Sequence, residues 1–135
     1  MYTLKALNTT LKREEIFYYS DNISSTDFQN QLSYIKHGYP RNWIIPNRKI
    51  ISEHKDQTLT FRHKMKYIVM SNNGVKSIFI FDKEINHDYF YNAVNFLNEE
   101  FYTLESAGFT NGISCYGRSE TLNKDSNPED IKLIM

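Results

Sequence analysis

The sequence is poor in the features that usually announce a function. It has one cysteine, Cys115, so no intramolecular disulfide can form, and the expected setting is a reducing cytoplasm. Lysine plus arginine and aspartate plus glutamate stand at 16 each, for a formal net charge of zero. A general polyanion-binding surface needs an excess of cations to displace counterions, so nucleic acid is set aside as a partner. No apolar run approaches the roughly 18 residues of a membrane span. The opening stretch, MYTLKALNTTLKREE, has none of the apolar core, about 7–15 residues long, of a secretory signal. His37, His54, His63, His87 and Cys115 show neither His-x-x-x-His nor Cys-x-x-Cys spacing, so no metal site is read. A Gly-Lys-Ser/Thr phosphate loop and a Gly-x-Ser-x-Gly elbow are both missing, and no cofactor is expected. The chain of 135 residues shows no linker, no internal repeat and no second domain, and reads as a single domain over 1–135.

Aromatic side chains are plentiful. Ten tyrosines and nine phenylalanines predict a core that is largely aromatic, with tyrosine hydroxyls needing partners or a wet edge. The abundance of Asn, Lys, Ile and Tyr is a composition common in phages and low-GC bacteria. Patterning predicts an α+β fold: a mostly antiparallel sheet of five or six strands carrying two main helices, about 24–37 and 87–107. YTLKAL and EEIFYYSD read as strands separated by a turn. Ser24 is placed to cap the first helix, with Asp27 at its third position, and Gly38 and Pro40 to stop it. Pro46 makes 41–57 an irregular or edge element.

The central unit is predicted from Lys66 to Ser119, with everything before it packed on as additional structure. KYIVMSNNGVKSIFIF is a hairpin turned at Asn73-Gly74, and its run Ile78–Phe81 suits a strand covered on both faces. In the helix that follows, Phe90, Val94, Leu97, Phe101 and Leu104 form one stripe, and Gly108 is read as its stop. A closing strand follows near Ile113 to Tyr116, and Pro128 starts a last helical turn or a tail.

Three sets of residues carry candidate chemistry. His87 opens the second helix, where the dipole favours a neutral ring, and is read as a catalytic base or nucleophile, or as a helix cap filling a gap. Arg118, Ser119 and Thr121, with neighbouring amides, form a turn suited to phosphate or carboxylate, or a plain surface turn. Arg41, Trp43 and Arg48 offer an aromatic-plus-cation surface for a protein or nucleotide, unless Trp43 plugs the core.

The order of these features resembles the phosphohistidine phosphatase (Janus/Ocnus) family over about residues 64–122. MKYIVM resembles its Lys-Tyr strand, NHDYFYNAV its catalytic helix start, and CYGRSETLN its phosphate-holding strand and loop. The resemblance implies a catalytic His87, a substrate-binding Lys66 and phosphate held by the Ser119–Thr121 amides. The chain departs from the pattern in a thinner glycine turn and in Glu120, a negative charge beside the phosphate. The residues themselves favour a small intracellular accessory or inhibitor-type protein of the kind phages encode, with a protein partner and an open sheet edge that suits a homodimer. The other two readings are a phosphohistidine phosphatase-like hydrolase and a nucleotide-binding protein.

Overall fold

The computed structural model describes residues 1–9, 11–37, 48–55, 64–97 and 102–134. Its elements in chain order are β1 (Tyr2–Asn8), β2 (Arg13–Tyr19), α1 (Ser25–His37), β3 (Arg48–Lys55), β4 (Met65–Asn72), β5 (Val75–Phe81), α2 (His87–Leu97), β6 (Thr103–Thr110), β7 (Cys115–Tyr116), β8 (Arg118–Ser119) and β9 (Lys124–Asp125), closed by a 3-10 helix at Pro128–Leu133. The fold is α+β. Seven strands, rather than five or six, form one sheet in the order β3-β1-β2-β5-β4-β6-β7, and every neighbouring pair is antiparallel.

This order reveals an internal repeat that the letters of the sequence hide. A hairpin, a helix and a returning strand occur twice: β1-β2-α1-β3, with β3 on β1, and β4-β5-α2-β6, with β6 on β4. The correspondence holds bond by bond. Ile23 N donates to Ser20 O and Ile85 N to Asp82 O; Phe28 N donates to Ser24 O and Phe90 N to Asn86 O. Each member of the second set follows its counterpart at the same interval in the chain. The bulges match too. Pairing with the third strand of each unit slips between Lys5 and Ala6 in one half and between Val69 and Met70 in the other. The halves meet where β2 and β5 overlap only near their ends, with Tyr18 opposite Ile80 and Tyr19 opposite Phe79. Tyr18 and Ile80 are themselves counterparts, so an approximate two-fold axis passes through that pair. Ser20 closes the seam, donating its hydroxyl to Ile78 O at 3.0 Å and accepting from Ile78 N. The N-terminal strands are thus half of the sheet, not additions to a central unit.

Both sheet faces are covered, which accounts for the unbroken apolar run in β5. Phe79 and Phe81 face α1 and α2 with Leu4, Phe17, Tyr19, Ile68 and Met70; Phe28, Ile35, Phe90 and Val94 descend from the helices. Ile78 and Ile80 face the other way with Tyr18, Tyr67 and Val69, under Ile131, Leu133 and Ile134 of the C-terminal segment. That segment is a built lid. Asn127 and Asp130 cap its helix reciprocally, and buried Asp130 Oδ2 also accepts from Tyr67 OH at 2.7 Å and Ser106 Oγ at 2.6 Å. Asp130→Ala is expected to cost about 3 kcal/mol, because two buried hydroxyls lose a charged acceptor. Urea unfolding of the variant checks this.

Two boundaries differ from expectation. The second helix runs over His87–Leu97 rather than to residue 107, and Thr103–Thr110 is the strand β6. The apolar spacing through Leu104 happened to continue a helical stripe, but pairing with the apolar strand β4 decides the conformation. Gly108, read as a helix stop, lies inside β6 because a Cβ there would stand 2.6 Å from Tyr116 O and 2.9 Å from Ser126 Cβ. The closing strand is only Cys115–Tyr116, which leaves Ile113 in the turn. Where the sequence is easiest to read it agrees: Asn73 and Gly74 take φ of 52° and 79°, and Ser24 Oγ accepts from Asp27 N. The edge element expected at 41–57 is the edge strand β3; residues 41–47, Pro46 among them, lie outside the described residues, as do Gly38 and Pro40.

Candidate functional site

Asn86 precedes α2, its carbonyl accepting from Phe90 N, and His87 is the first residue of the helix, with its imidazole packed on Phe81 and Phe109 of the sheet. It is 4% exposed. Its Nε2 lies 2.8 Å from the Gly108 carbonyl oxygen, which only accepts, so Nε2 carries the proton and Nδ1 the lone pair of the neutral ring. The ring stands edge-on to Phe81 (5.7 Å, 81°) and to Phe109 (5.5 Å, 87°). Burial holds the imidazole below the usual histidine range; the Gly108 bond opposes this, Lys66 reinforces it and Asp88 opposes it.

Lys66 is its neighbour, paired in register with Phe81 on one side and Phe109 on the other. Its Nζ donates to Ile85 O at 2.9 Å, in the loop that leads into His87. Burial lowers its pKa, against the pull of Glu84, Asp82 and Asp88. Lys66 thus pairs with the two residues whose rings flank His87, and among the described residues no hydrogen bond joins the two side chains that the resemblance implies as base and substrate lysine.

Arg118, Ser119 and Thr121 form a separate set. Arg118 Nη2 bonds Asn123 Oδ1, Nε lies 3.4 Å from Glu120 and Nη1 lies 3.5 Å from Asp125. Its charge is already shared by two carboxylates. Ser119 is fully buried, accepts from Leu122 N at 3.2 Å and has its hydroxyl 3.4 Å from Thr121 Oγ1. Among the described residues no hydrogen bond or ion pair joins this turn to His87 or Lys66.

The third set is dispersed. Arg41 and Trp43 lie outside the described residues. Arg48, expected on an interaction surface, is 5% exposed and bonds Glu15, itself 1% exposed, through Nε. The reason is its place: Arg48 opens β3 on the helix-covered face, where it is the buried partner of Glu15, with the half-exposed Arg13 lying 3.6 Å away on the carboxylate's other oxygen. Among the described residues no three metal-binding side chains cluster, and no helix is long and apolar enough to cross a membrane.

The turn between β6 and β7 is tied by its own side chains: Asn111 Oδ1 accepts from the amides of Ile113 and Ser114 at 2.9 Å each. Thr110 Oγ1 donates to Ser114 O and accepts from Gly112 N, and Gly112 takes φ of 87°. At its tip Ile113 is 83% exposed. Beside it Tyr116, 39% exposed, stacks on Phe109 at 6.3 Å, and Lys64 Nζ sits 4.6 Å from the centre of the Phe109 ring. The Thr-Asn-Gly run was a usable turn signal, but Ile113 beside it looked like the start of a strand.

No family model, curated protein or solved structure matches the chain.

His87 also gives stability a pH dependence. Its folded pKa is depressed below the ordinary 6.5, so the unfolded chain binds the proton more readily. The contribution is complete above about pH 6.5 and is lost as pH falls through the folded value. The melting temperature is expected to fall over that window in the wild type and to fall less in His87→Gln.

Proposed function

We propose that this chain is a small accessory protein that acts by binding another protein through the corner formed by the β6–β7 turn. The observation that supports this most is Ile113, a large apolar side chain held out in solvent by a turn with at least four internal hydrogen bonds. A rigid turn loses little conformational entropy on docking, so its exposed side chain serves as a preorganised anchor. Tyr116, stacked on Phe109, adds a partly exposed aromatic ring on the strands that carry the turn, and Lys64 supplies one charge. Immobilised wild-type protein is expected to retain a specific partner, and Ile113→Asp with Tyr116→Ala is expected to lose it at an unchanged melting temperature. Retention of the same partner by the double variant counts decisively against this surface.

A phosphohistidine hydrolase is the second reading, favoured by the place of Lys66 in register with Phe81 and Phe109, the two rings that flank His87. Arg118 weighs against it, since Glu120 and Asp125 already occupy the cation that would hold phosphate. Phosphate release from a phosphohistidine peptide separates the two readings: turnover by the wild type that vanishes in His87→Ala establishes the enzyme.

A further inference from the structure

The sequence places glycine directly after asparagine twice, at Asn73-Gly74 and at Asn111-Gly112. Such a pair is open to a reaction that needs no enzyme. The glycine backbone nitrogen attacks the asparagine side-chain carbon Cγ, a C–N bond forms, and ammonia leaves with the proton from that nitrogen. Water then opens the resulting five-membered imide at either of its two carbonyls. One opening gives aspartate; the other routes the main chain through the side-chain carbon as isoaspartate. Glycine favours the attack because it sets no side chain beside the nitrogen and leaves the chain free to swing. Both asparagines are exposed, so sequence and exposure do not tell the two sites apart.

Their hydrogen bonds do. At Asn111 both reacting groups are held. Oδ1 accepts from Ile113 N and Ser114 N at 2.9 Å each, with Ser114 Oγ at 3.4 Å, which fixes the plane of the amide under attack. The attacking nitrogen, that of Gly112, donates to Thr110 Oγ1 at 3.1 Å, and Thr110 donates in turn to Ser114 O. Nitrogen and Cγ meet only after several of these bonds have opened. At Asn73, among the described residues, no hydrogen bond holds the side chain and none engages the Gly74 amide. A Cβ at Gly74 would meet nothing within 4 Å, so the tip is open to water. The ladder behind it begins at the pair Asn72 with Val75, and motion of the tip leaves that ladder in place.

We infer that Asn73 is a site of spontaneous deamidation in the native chain, and that the hydrogen bonds of the β6–β7 turn spare Asn111. Conversion adds one negative charge to a chain of formal net charge zero. As isoaspartate it also inserts an extra main-chain atom into a two-residue turn. Asn73 and Gly74 take the left-handed pair of angles that this turn requires, with φ of 52° and 79°, and a longer link does not keep them. The Asn72–Val75 pair, at the open end of β4 and β5, is then the first to lose its register. The corner that displays Ile113 belongs to the other turn, so the inference holds whether or not that corner binds a partner.

The intact wild-type chain is the sample, incubated in warm, mildly alkaline buffer and digested to peptides at intervals. Mass spectrometry reads the gain of about one dalton at each asparagine, and electron-driven fragmentation separates aspartate from isoaspartate. Conversion at position 73 is expected to outrun that at 111 by at least about tenfold, since two or more hydrogen bonds must open before 111 reacts. In concentrated urea, where neither turn persists, the two rates are expected to converge. Thr110→Val removes the acceptor of Gly112 N and is expected to speed conversion at 111 while leaving 73 as it was. Equal native rates, a faster reaction at 111, or an unreacted 73 in a native chain whose unfolded form reacts each overturn the inference. So does a rate at 111 that Thr110→Val leaves unmoved. If that variant does not fold, the native and urea rates of the wild type decide alone.

Discussion

Replacing Arg48 with methionine is expected to cost about 3–5 kcal/mol, a large part of the stability of a domain this size. Glu15 and Arg48 are both nearly inaccessible, and Arg48 Nε is bonded to Glu15 Oε1. Removing the cation leaves a carboxylate in the interior with Arg13, 3.6 Å away and partly exposed, as the remaining cation in the described structure. The comparison that isolates the cause is Arg48→Met combined with Glu15→Leu. A buried pair replaced as a whole by apolar groups forfeits attraction and desolvation cost together, so the double variant is expected to recover most of the loss. Guanidinium unfolding of the wild type, both single variants and the double variant measures the coupling directly. Equal losses in the single and double variants mean that packing, and not charge, was what Arg48 supplied.

Phe90→Ala is expected to cost about 3–5 kcal/mol, and Phe90→Leu well under half of that. Phe90 is fully buried, lies flat on Phe81 of β5 at 4.2 Å and 10°, and is stacked 6.2 Å from Phe17 of β2. It therefore touches both halves of the repeat beside the short seam where β2 and β5 pair. Its counterpart Phe28 packs on Tyr2 at 4.3 Å and edge-on to Tyr19 at 5.8 Å, both within its own half. Phe28→Ala is accordingly expected to cost less. Thermal unfolding followed by circular dichroism ranks the three variants, and a larger loss from Phe28 reverses the assignment of the bridging role.

What could be read in advance follows a physical line. The Asn73-Gly74 turn, the Ser24 cap and the both-faces burial of Ile78–Phe81 are settled within a few residues, so local chemistry shows them. The end of α2 is different. Phe101 and Leu104 continue an apolar stripe, and only the long-range demand of β4 for a second neighbour makes Thr103–Thr110 a strand. The repeat was hidden for a related reason. Tyr18 corresponds to Ile80 and Ser24 to Asn86, so the copies share hydrogen bonds more than residue types, and the two hairpin turns differ in length. At the candidate site, His87 opens α2 as the sequence suggested, and Lys66 lies in register with Phe81 and Phe109, the rings on either side of it. Arg48 was misplaced because a lone arginine between polar neighbours gives no sign of the glutamate, far away in sequence, that draws it inside.

The slip in pairing beside Ile51 has a consequence for life at high concentration. Strand β3 is the edge of the sheet, and edges are where chains stack into fibrils. A bulge reverses which backbone groups point outward on either side of it. A strand arriving in phase with Arg48–Ile50 is out of phase with Ser52–Lys55, so runaway growth from this edge is blocked by geometry alone. The matching slip in the second half falls where β6 meets β4, opposite Ser106 and Leu104, while β7 pairs only with Phe109 and Thr110 further along β6.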